Sequence, residues 1–411
     1  MRSSHRGTES FQSYLKACFD EGIASSLVLI AKRRNGSDIL DTYMGGPSRA
    51  LPSQRPIDDQ TIFTLASCTK LPTTVAALQL VDKKLITLDE DVSPLLPVLG
   101  RQQILVGWQA DGSPILRKRR NPITLRQLLT HSSGCGYDFF HPDLKRFRRY
   151  QGTTPATQKA KVMEWFNQPL VFEPGQGWEY GAGLDWVGKL IEQISGMSLE
   201  VYMSRYVWTP LGASSYTFWP DAPGYTRKLA TLARRDRATG KLDVSLEGLD
   251  LNRNVKECFG GHGAYCSAAD YAELLFSLLA NDERVLRPSS VELMFENQLS
   301  PESKEALQEV MRTRDLAGGD YYAGEVYSWG LGGLLVEETH DSEAPYDRGP
   351  KTLAWCSALN HYWFIDRSKG VCGLLMTHIV PSPDAKIKPL IRAFLQHTYR
   401  ENARPALPSF L

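Results

Sequence analysis

The segment TIFTLASCTKLPTTVAALQLVDKK, residues 61–84, changes its pattern near its centre. Residues 61–65 have the β-branched and aromatic composition of an extended strand, whereas Val75, Leu78 and Val81 recur at helical spacing. The segment therefore predicts a strand that runs directly into a helix ending near Lys84. Ser67 lies where that helix begins.

The two ends of the chain carry the other strand patterns. Near the start, Phe11, Leu15 and Cys18 predict a helix, and residues 27–30 predict a strand closed by a turn at 33–37. Near the end, β-type runs cover residues 327–336, 353–364 and 371–376, and a helix is expected over 387–399. Hairpin-like spacings outnumber the longer spacings of βαβ units, so the predicted sheet is mainly antiparallel.

The middle of the chain has a different character. A proline-rich, basic stretch runs from Pro94 to Pro122, and helical patterns with glycine and proline punctuation continue to about residue 250. This order predicts an α/β (α+β) fold in which residues 1–95 and 255–411 form one discontinuous sheet domain. Residues 96–254 would form a mainly helical insertion domain.

Composition limits the function classes. At about 150 residues per domain, 411 residues predict two or three structural units. Hydrophobic residues are 42% and charged residues 23%, as in globular proteins with a full core, and the net charge is +1. That balance gives no long-range field for nucleic acid or an anionic membrane, and neither is expected as a partner.

Cysteines and apolar runs bear on location. The seven cysteines have wide, irregular spacings and no Cys-x-x-Cys pair, which favours reduced thiols in a cytoplasmic protein over disulfides or a zinc site. The N-terminus carries Arg2, Arg6 and Glu9 with no apolar h-region behind them, so no signal peptide is expected. The first apolar run, residues 24–31, spans eight residues, too few for a membrane helix. We expect no metal and no cofactor.

Several common catalytic motifs are missing from the sequence. It contains no G-x-S-x-G, no H-E-x-x-H, no P-loop and no G-x-G-x-x-G after a strand. Ser-x-x-Lys occurs twice, at Ser13–Lys16 and at Ser67–Lys70. The first copy lies inside an amphipathic helix, whereas the second lies at the strand-to-helix junction, so only Ser67 is placed for catalysis.

A lysine one helical turn after a serine brings its amine near the hydroxyl. Because a hydroxyl is a poor nucleophile without a neighbouring base or cation, Lys70 next to Ser67 fits nucleophilic catalysis. The alternative is that Ser67 caps the helix and Lys70 is a solvated helix residue. Tyr180 follows a Pro/Gly turn over residues 173–179 and precedes a helix, and there it could shuttle protons as a phenolate or be an ordinary tyrosine.

Four segments together resemble one family. They are Ser67-Cys68-Thr69-Lys70, residues 123–134 (ITLRQLLTHSSG), residues 180–186 (YGAGLDW) and residues 258–263 (CFGGHG). They are similar to the serine β-lactamase-like esterases and transesterases, most of all to fungal acyltransferases of the lovastatin type. The resemblance runs in family order from about residue 10 to 400 and implies a β-lactamase/transpeptidase-like fold: an antiparallel sheet flanked by helices, with the site facing a helical domain.

The resemblance also implies roles for residues. Ser67 would be the nucleophile, and Lys70 and Tyr180 would take and return protons. A third motif matches residues 355–360 (WCSALN), and the oxyanion hole would be the N–H groups of Ser67 and Ala358. Residues expected to contact substrate are Tyr137, Phe139, Trp178, Trp355, Ser357 and Asn360, and Phe140 and Tyr362 are further aromatic residues near these motifs.

The chain departs from the family pattern at three places. Cys356 and Ser357 stand where relatives usually have glycines, and their side chains could narrow the acyl slot. Gly183 stands in the turn where relatives commonly have asparagine, so a polar contact could be missing. Pro72, early in the helix after Ser67, should kink or tighten that turn.

Other residues have a structural and a functional interpretation. His131 and His262 are expected to fix loops, and Cys68 and Cys356 to be small packing residues rather than nucleophiles. A basic group is expected to form a solvated face, with docking of an acidic acyl-carrier domain as the alternative; it comprises Arg117–Arg120, Lys145, Arg146, Arg148 and Arg149.

The sequence, with this resemblance, predicts a serine acyltransferase. An acyl group from a small thioester or ester donor would pass through acyl-Ser67 to a hydroxyl of a bulky secondary-metabolite (polyketide-type) alcohol. Water as acceptor would make the same machinery an esterase or thioesterase. The hypothesis from another class is a non-acylating relative that binds, isomerises or cyclises a metabolite in the same pocket.

Overall fold

A computed structural model describes residues 3–46, 56–153, 161–222, 229–244, 252, 255–314, 318–322, 324–338 and 346–404. Its helices are α1 (Ser3–Asp20), α2 (Lys70–Asp82), α3 (Pro97–Gly100), α4 (Leu125–Leu129), α5 (Pro142–Tyr150), α6 (Val162–Trp165), α7 (Gly183–Ser195), α8 (Leu199–Met203), α9 (Ala268–Ala280), α10 (Pro288–Met294), α11 (Pro301–Thr313) and α12 (Ile387–Asn402).

The longer strands concentrate at the two ends of the chain. They are β1 (Ser26–Arg33), β2 (Asp38–Gly45), β3 (Ile62–Thr64), β4 (Ile104–Trp108), β5 (Pro114–Arg117), β6 (Ala233–Arg235), β7 (Leu242–Asp243), β8 (Tyr265–Ser267), β9 (Val326–Trp329), β10 (Leu334–Glu338), β11 (Thr352–Cys356), β12 (Tyr362–Asp366), β13 (Val371–Met376) and β14 (Ile379–Val380).

The described strands at the two chain ends form one seven-stranded antiparallel sheet. Its order is β2-β1-β13-β12-β11-β10-β9, and Leu29 of β1 lies between Thr42 of β2 and Leu375 of β13. Strands β1 and β13 are almost entirely buried, because helices α9 and α12 both pack on the central strands. The prediction of a mainly antiparallel sheet flanked by helices is confirmed.

The individual sequence predictions fall close to the observed elements. The turn at 33–37 joins β1 to β2, and the runs 327–336 and 353–364 each split into a hairpin, β9–β10 and β11–β12. The prediction missed two hairpins in the middle of the chain, β4–β5 and β6–β7. β4–β5 lies in the proline-rich basic stretch, where Pro114 pairs with Trp108 at the end of the ladder, a position that proline tolerates.

Most of the helices between residues 97 and 203 belong to the predicted insertion, and α2 packs against α7 and α8 of that part. The short 3₁₀ turn Ala66–Thr69, just before α2, also contacts β11 of the large sheet. Ser67 therefore lies where the sheet meets the helices. The division into domains at about residues 95 and 255 remains a proposal.

Candidate active site

Ser67 occupies a strained position between β3 and α2. Ala66, the residue before it, has φ of +46°, in the left-handed region that costs a non-glycine residue about 1–2 kcal/mol. Ala66 and Cys68 are buried, whereas Ser67 is partly exposed. The strained turn thus presents one hydroxyl out of an otherwise buried segment, and strain of this kind concentrates at functional sites.

Tyr180 lies next to this hydroxyl. Its phenol oxygen shares a hydrogen bond with Ser67 and accepts one from the indole Nε1 of Trp355 at 3.1 Å. Burial raises the pKa of Tyr180 above its ordinary value, and these two hydrogen bonds oppose the rise because they favour the phenolate. The free site therefore holds Tyr180 as a neutral phenol whose oxygen is surrounded by donors.

Lys70 brings a buried amine to the same place. Its side chain is 2% exposed, its Nζ donates to the carbonyl of Gly261 at 2.8 Å, and Nζ lies 4.6 Å from the centre of the Tyr180 ring. Burial lowers the pKa of Lys70 to about 8, and the charge of Asp185 limits that fall. A fraction of the lysine is therefore a neutral amine at neutral pH, as a general base requires.

Sequence reasoning missed the carboxylate behind Lys70. The Tyr137 hydroxyl accepts from Lys70 Nζ at 3.4 Å and donates to Asp185 Oδ2 at 2.8 Å, and the Gly261 N–H donates to Asp185 Oδ1 at 2.8 Å. Asp185 is fully buried, so its charge acts on Lys70 with little screening from water. The signal that could have found it is an aspartate among apolar residues on α7, five positions after Tyr180.

The candidate oxyanion hole joins two segments. Residues 357–360 form a turn after β11, in which Ser357 N donates to His361 O, Leu359 N to Ser357 Oγ and Asn360 N to Ser357 O. Those bonds leave the N–H of exposed Ala358 without a partner among the described residues. Such a free N–H beside the nucleophile turn is what an oxyanion donor needs.

The predicted substrate contacts separate into two groups. Phe139 and Phe140 are 58% and 45% exposed, their rings are tilted against each other with centres 4.5 Å apart, and the Phe140 ring lies 6.0 Å from the Tyr180 ring. They form an aromatic surface beside Tyr180, and Phe139 stays a candidate substrate contact.

The other predicted contacts are engaged inside the protein. Tyr137 belongs to the Lys70–Asp185 network, and Trp355 holds Tyr180. Trp178 is buried against His131 and Trp329. The residues with similar internal roles are Ser357, bonded to Leu359 N and the Cys68 thiol; Asn360, bonded to Ile379 O, Pro381 O and Asp384 N; and fully buried Tyr362.

The two histidines of the family segments border the site. His131, with φ of +61°, accepts from Gly181 N through Nδ1 at 3.3 Å and from Glu179 N through its carbonyl at 3.0 Å. It thus hydrogen-bonds the residues on both sides of Tyr180, in keeping with a loop-fixing role. His262 Nδ1 lies 3.4 Å from Asp185 Oδ1, at the edge of the lysine network.

The structure shows the surroundings of two departures from the family. A Cβ at Gly183 would lie 2.2 Å from the carbonyl oxygen of Leu128, so a side chain there requires α4 and α7 to move apart. Pro72 is the third residue of α2, directly after the tight 3₁₀ turn Ala66–Thr69, and the Cys68 carbonyl four residues before it accepts from the Tyr271 hydroxyl at 2.9 Å instead.

The third departure is absorbed by packing. Cys356 is 5% exposed and its sulfur accepts from Gly318 N at 3.1 Å, while Ser357 is 3% exposed and bonded as described above. Both side chains are tied to neighbouring segments. Cys68 is fully buried, and burial raises the pKa of its thiol, which keeps it protonated and poorly nucleophilic.

The basic group is not one solvated face. Arg148 is 3% exposed and paired with Asp138, Arg117 pairs with Glu173, and Arg119 donates to Asn121 O. The exposed members are Lys118, Arg120, Lys145, Arg146 and Arg149. Arg146 lies over the Trp108 ring at 4.0 Å.

Metal ligands and membrane-spanning helices were both expected to be absent. Across the described residues, no group of three or more His, Cys, Asp or Glu side chains is arranged to hold a metal ion. None of the described helices combines the length and apolar character needed to cross a bilayer. The seven cysteines are buried, and none of them forms a disulfide.

Comparisons with known proteins agree with this geometry. The family model described as Beta-lactamase matches residues 15–396. A lovastatin esterase of Penicillium rubens is 34% identical over 393 residues, covering 94% of this chain and 97% of that protein. A monacolin J acid methylbutanoyltransferase of Aspergillus terreus is 36% identical over 352 residues, covering 84% of each chain.

A solved structure gives the same result for the fold. A mutant of simvastatin synthase (LovD) from Aspergillus terreus superposes with a TM-score of 0.88 at 32% identity, covering 96% of this chain and 97% of that one.

Proposed function

The chain belongs to the beta-lactamase family and is an enzyme, and on that premise we propose that it is a serine acyltransferase working through acyl-Ser67. The observation that carries the proposal is the contact of the Ser67 hydroxyl with a buried tyrosine whose ring lies under the amine of Lys70. Two protein groups able to hold a proton thus adjoin one accessible hydroxyl.

In the first half-reaction, Ser67 Oγ bonds to the carbonyl carbon of the donor, and its proton passes to the Tyr180–Lys70 pair. The Ser67 and Ala358 N–H groups would hold the oxyanion, each worth about 3 kcal/mol to the transition state. The tetrahedral intermediate then breaks its bond to the thiolate or alkoxide, which leaves with the proton. In the second half-reaction an alcohol oxygen bonds to the acyl carbon and gives its proton to the Tyr180–Lys70 pair, the bond from the acyl carbon to Ser67 Oγ breaks, and Ser67 Oγ takes that proton back.

A bulky apolar alcohol is the proposed acceptor. Phe139 and Phe140 give an exposed aromatic surface within 6.0 Å of the Tyr180 ring, on which a ring-bearing alcohol would displace water. The relative from Aspergillus terreus is named for the transfer of a methylbutanoyl group to monacolin J acid. By similarity to that relative, a polyketide-type alcohol is the proposed acceptor of this chain.

Hydrolysis is the second candidate, because a lovastatin esterase matches 94% of the chain. The same acyl-Ser67 would then be discharged by water. Both candidates need the same first half-reaction, so they separate only in what removes the acyl group.

Two further parts of the proposal concern a partner protein and the location in the cell. The exposed cations Lys145, Arg146 and Arg149 on α5, which begins beside Phe140, could receive an acidic acyl-carrier domain as donor. A cytoplasmic location is supported by the seven buried cysteines, none of which forms a disulfide.

The test is intact-protein mass spectrometry after brief incubation with short acyl thioesters and an activated ester. Wild type should gain one acyl mass per chain and Ser67→Ala none. Ser13→Ala, in the exposed first Ser-x-x-Lys copy, is the matched control and should label like wild type.

The lifetime of the adduct then separates the two candidates. An adduct that persists in water and is discharged by added bulky alcohol supports transfer, whereas rapid loss in water alone supports an esterase. Labelling that survives in Ser67→Ala, or no labelling of wild type, would overturn acyl-Ser67 chemistry.

A further inference from the structure

Two buried histidines outside the site described above hydrogen-bond the backbone of the same residue, Thr64. His361 directly precedes β12 and is 0% exposed, and His378 follows β13 and is 4% exposed. His361 Nε2 lies 2.9 Å from Thr64 O, and Thr64 N lies 3.4 Å from His378 Nε2. The two rings are stacked at 6.3 Å, and the edge of Phe63 packs on both.

These contacts fix the tautomer of each ring. A carbonyl oxygen only accepts, so Nε2 of His361 must carry a proton; a peptide N–H only donates, so Nε2 of His378 must lack one. Two neutral imidazoles of opposite tautomer thus do for Thr64 what a neighbouring strand would do. On its other side Thr64 pairs with Tyr265 of β8, and Leu65 N donates to Ala264 O.

Thr64 matters because it lies three residues before Ser67. In a 3₁₀ turn each N–H bonds to the carbonyl three residues earlier, and Cys68 N does so with Leu65 O at 3.1 Å. The turn begins at Ala66 with Leu65 as its N-cap, so Ser67 N is one of the leading N–H groups that have no partner within the turn, and it makes no backbone bond among the described residues. The Thr64 carbonyl, the acceptor that a longer turn would offer to Ser67 N, accepts from His361 Nε2 instead.

His361 also holds the second half of the oxyanion hole. Its carbonyl accepts from Ser357 N at 3.0 Å, which closes the turn that carries Ala358. One residue therefore binds Thr64 through its side chain and the Ala358 turn through its backbone. The separation of the two donor N–H groups depends on this link.

We propose that His361 and His378 are positioning residues that hold the backbone N–H and C=O of Thr64 and thereby keep the Ser67 and Ala358 N–H groups aimed at one oxyanion. The proposal rests on the proposed acyl transfer and adds a specific device to it. The rings themselves do not touch the reacting atoms.

The experiment compares leucine and glutamine at each position. Leucine removes the hydrogen bond at similar volume, whereas the glutamine amide can donate to Thr64 O from position 361 or accept from Thr64 N at position 378. The readouts are kcat and KM for an activated ester, the affinity for a boronic acid whose oxygen occupies the oxyanion hole, and the thermal unfolding midpoint. His397→Leu is the control, since His397 is a buried histidine on α12 that stacks on Phe11 away from Ser67.

We expect His361→Leu to lower kcat about ten- to hundredfold with KM within about threefold, and to weaken boronate binding in parallel, because the loss falls on oxyanion stabilisation. His361→Gln should recover most of kcat. His378→Leu should act in the same direction but less, since its bond is longer. His397→Leu should lower the unfolding midpoint and leave kcat within about twofold.

Other outcomes overturn the proposal. If folded His361→Leu and His378→Leu retain wild-type kcat and boronate affinity, the histidines only pack. If His361→Leu does not fold, the test moves to His361→Gln. A folded His361→Gln whose kcat is as low as that of folded His378→Leu would show that a restored hydrogen bond to Thr64 O does not restore activity, and this result also overturns the proposal. A wild type that forms no acyl adduct refutes the proposed function, and the positioning role falls with it.

Discussion

Lys70 is a cation placed where water does not reach. Burial lowers the pKa of Lys70, and the charge of the Asp185 carboxylate, connected to it through the Tyr137 hydroxyl, raises that pKa again in part. The balance sets the pKa of Lys70 at about 8, close to working pH. A base that must take a proton from Ser67 and return it is most effective near such a value.

The pH dependence of acylation should therefore have a limb at about pH 8. Because the neutral amine accepts the proton, the acylation rate should rise about tenfold per pH unit below that value and level off above it. Asp185→Asn removes the charge that raises the pKa of Lys70, so the limb should move to lower pH.

Pre-steady-state labelling of Ser67 over pH 5.5–10 measures this limb. Tyr137→Phe, which keeps the carboxylate and loses the bridging hydroxyl, is the comparison and should shift the limb less than Asp185→Asn. An acid limb that stays in place in Asp185→Asn would show that Lys70 does not set it.

At the scale of elements, the contact between α4 and α7 decides which residue can stand at position 183, three positions after Tyr180. Helix α7 begins at Gly183, directly against the Leu128 carbonyl at the end of α4, and α4 is itself fixed by a capping box between Thr124 and Gln127. A side chain at 183 would have to push the two helices apart. The glycine is a packing requirement.

Gly183→Asn, which would restore the residue common in relatives, should therefore destabilise the protein by about 1–3 kcal/mol and lower activity. Urea unfolding and the labelling rate of Ser67 measure the two effects. Gly196→Asn is the matched control: Gly196 ends α7 with φ of +69° and nothing lies within 4 Å of its would-be Cβ, so asparagine should be tolerated. Higher activity in Gly183→Asn would refute the packing argument.

At the scale of the whole molecule, Arg235 ties three distant parts of the chain. It is 7% exposed, pairs with buried Asp384 after β14, and donates to Ile23 O before β1 and Gly240 O near β7. Its partners thus belong to the beginning, the middle and the end of the sequence.

Arg235→Met should lower the free energy of unfolding by about 3–5 kcal/mol, because it leaves Asp384 charged and unpaired in the interior. The exposed pair Lys16–Asp20 on α1 is the control, and Lys16→Met should change stability by less than about 0.5 kcal/mol. Chemical denaturation of both variants checks the difference. Equal effects would mean that the Arg235 pair is no more than a surface ion pair.

The sequence by itself determined the local features. Short apolar runs located β1 and β13, because a strand buried on both faces carries apolar residues throughout, and the helical spacing of apolar residues located α2 and α12. The two Ser-x-x-Lys copies were separated by position, because Ser67 lies at a strand-to-helix junction and Ser13 lies inside an amphipathic helix. The resemblance of four short segments identified the family and the three residues proposed for catalysis.

Only the tertiary structure decided how separate segments meet. Asp185 behind Lys70, the two histidines on Thr64, and the Leu128 carbonyl against Gly183 are contacts between residues far apart in the chain. No periodicity records them, because each depends on where whole elements pack. Burial then set the charge of Lys70, since the cost of a charge depends on its surroundings in the fold and not on its neighbours in sequence.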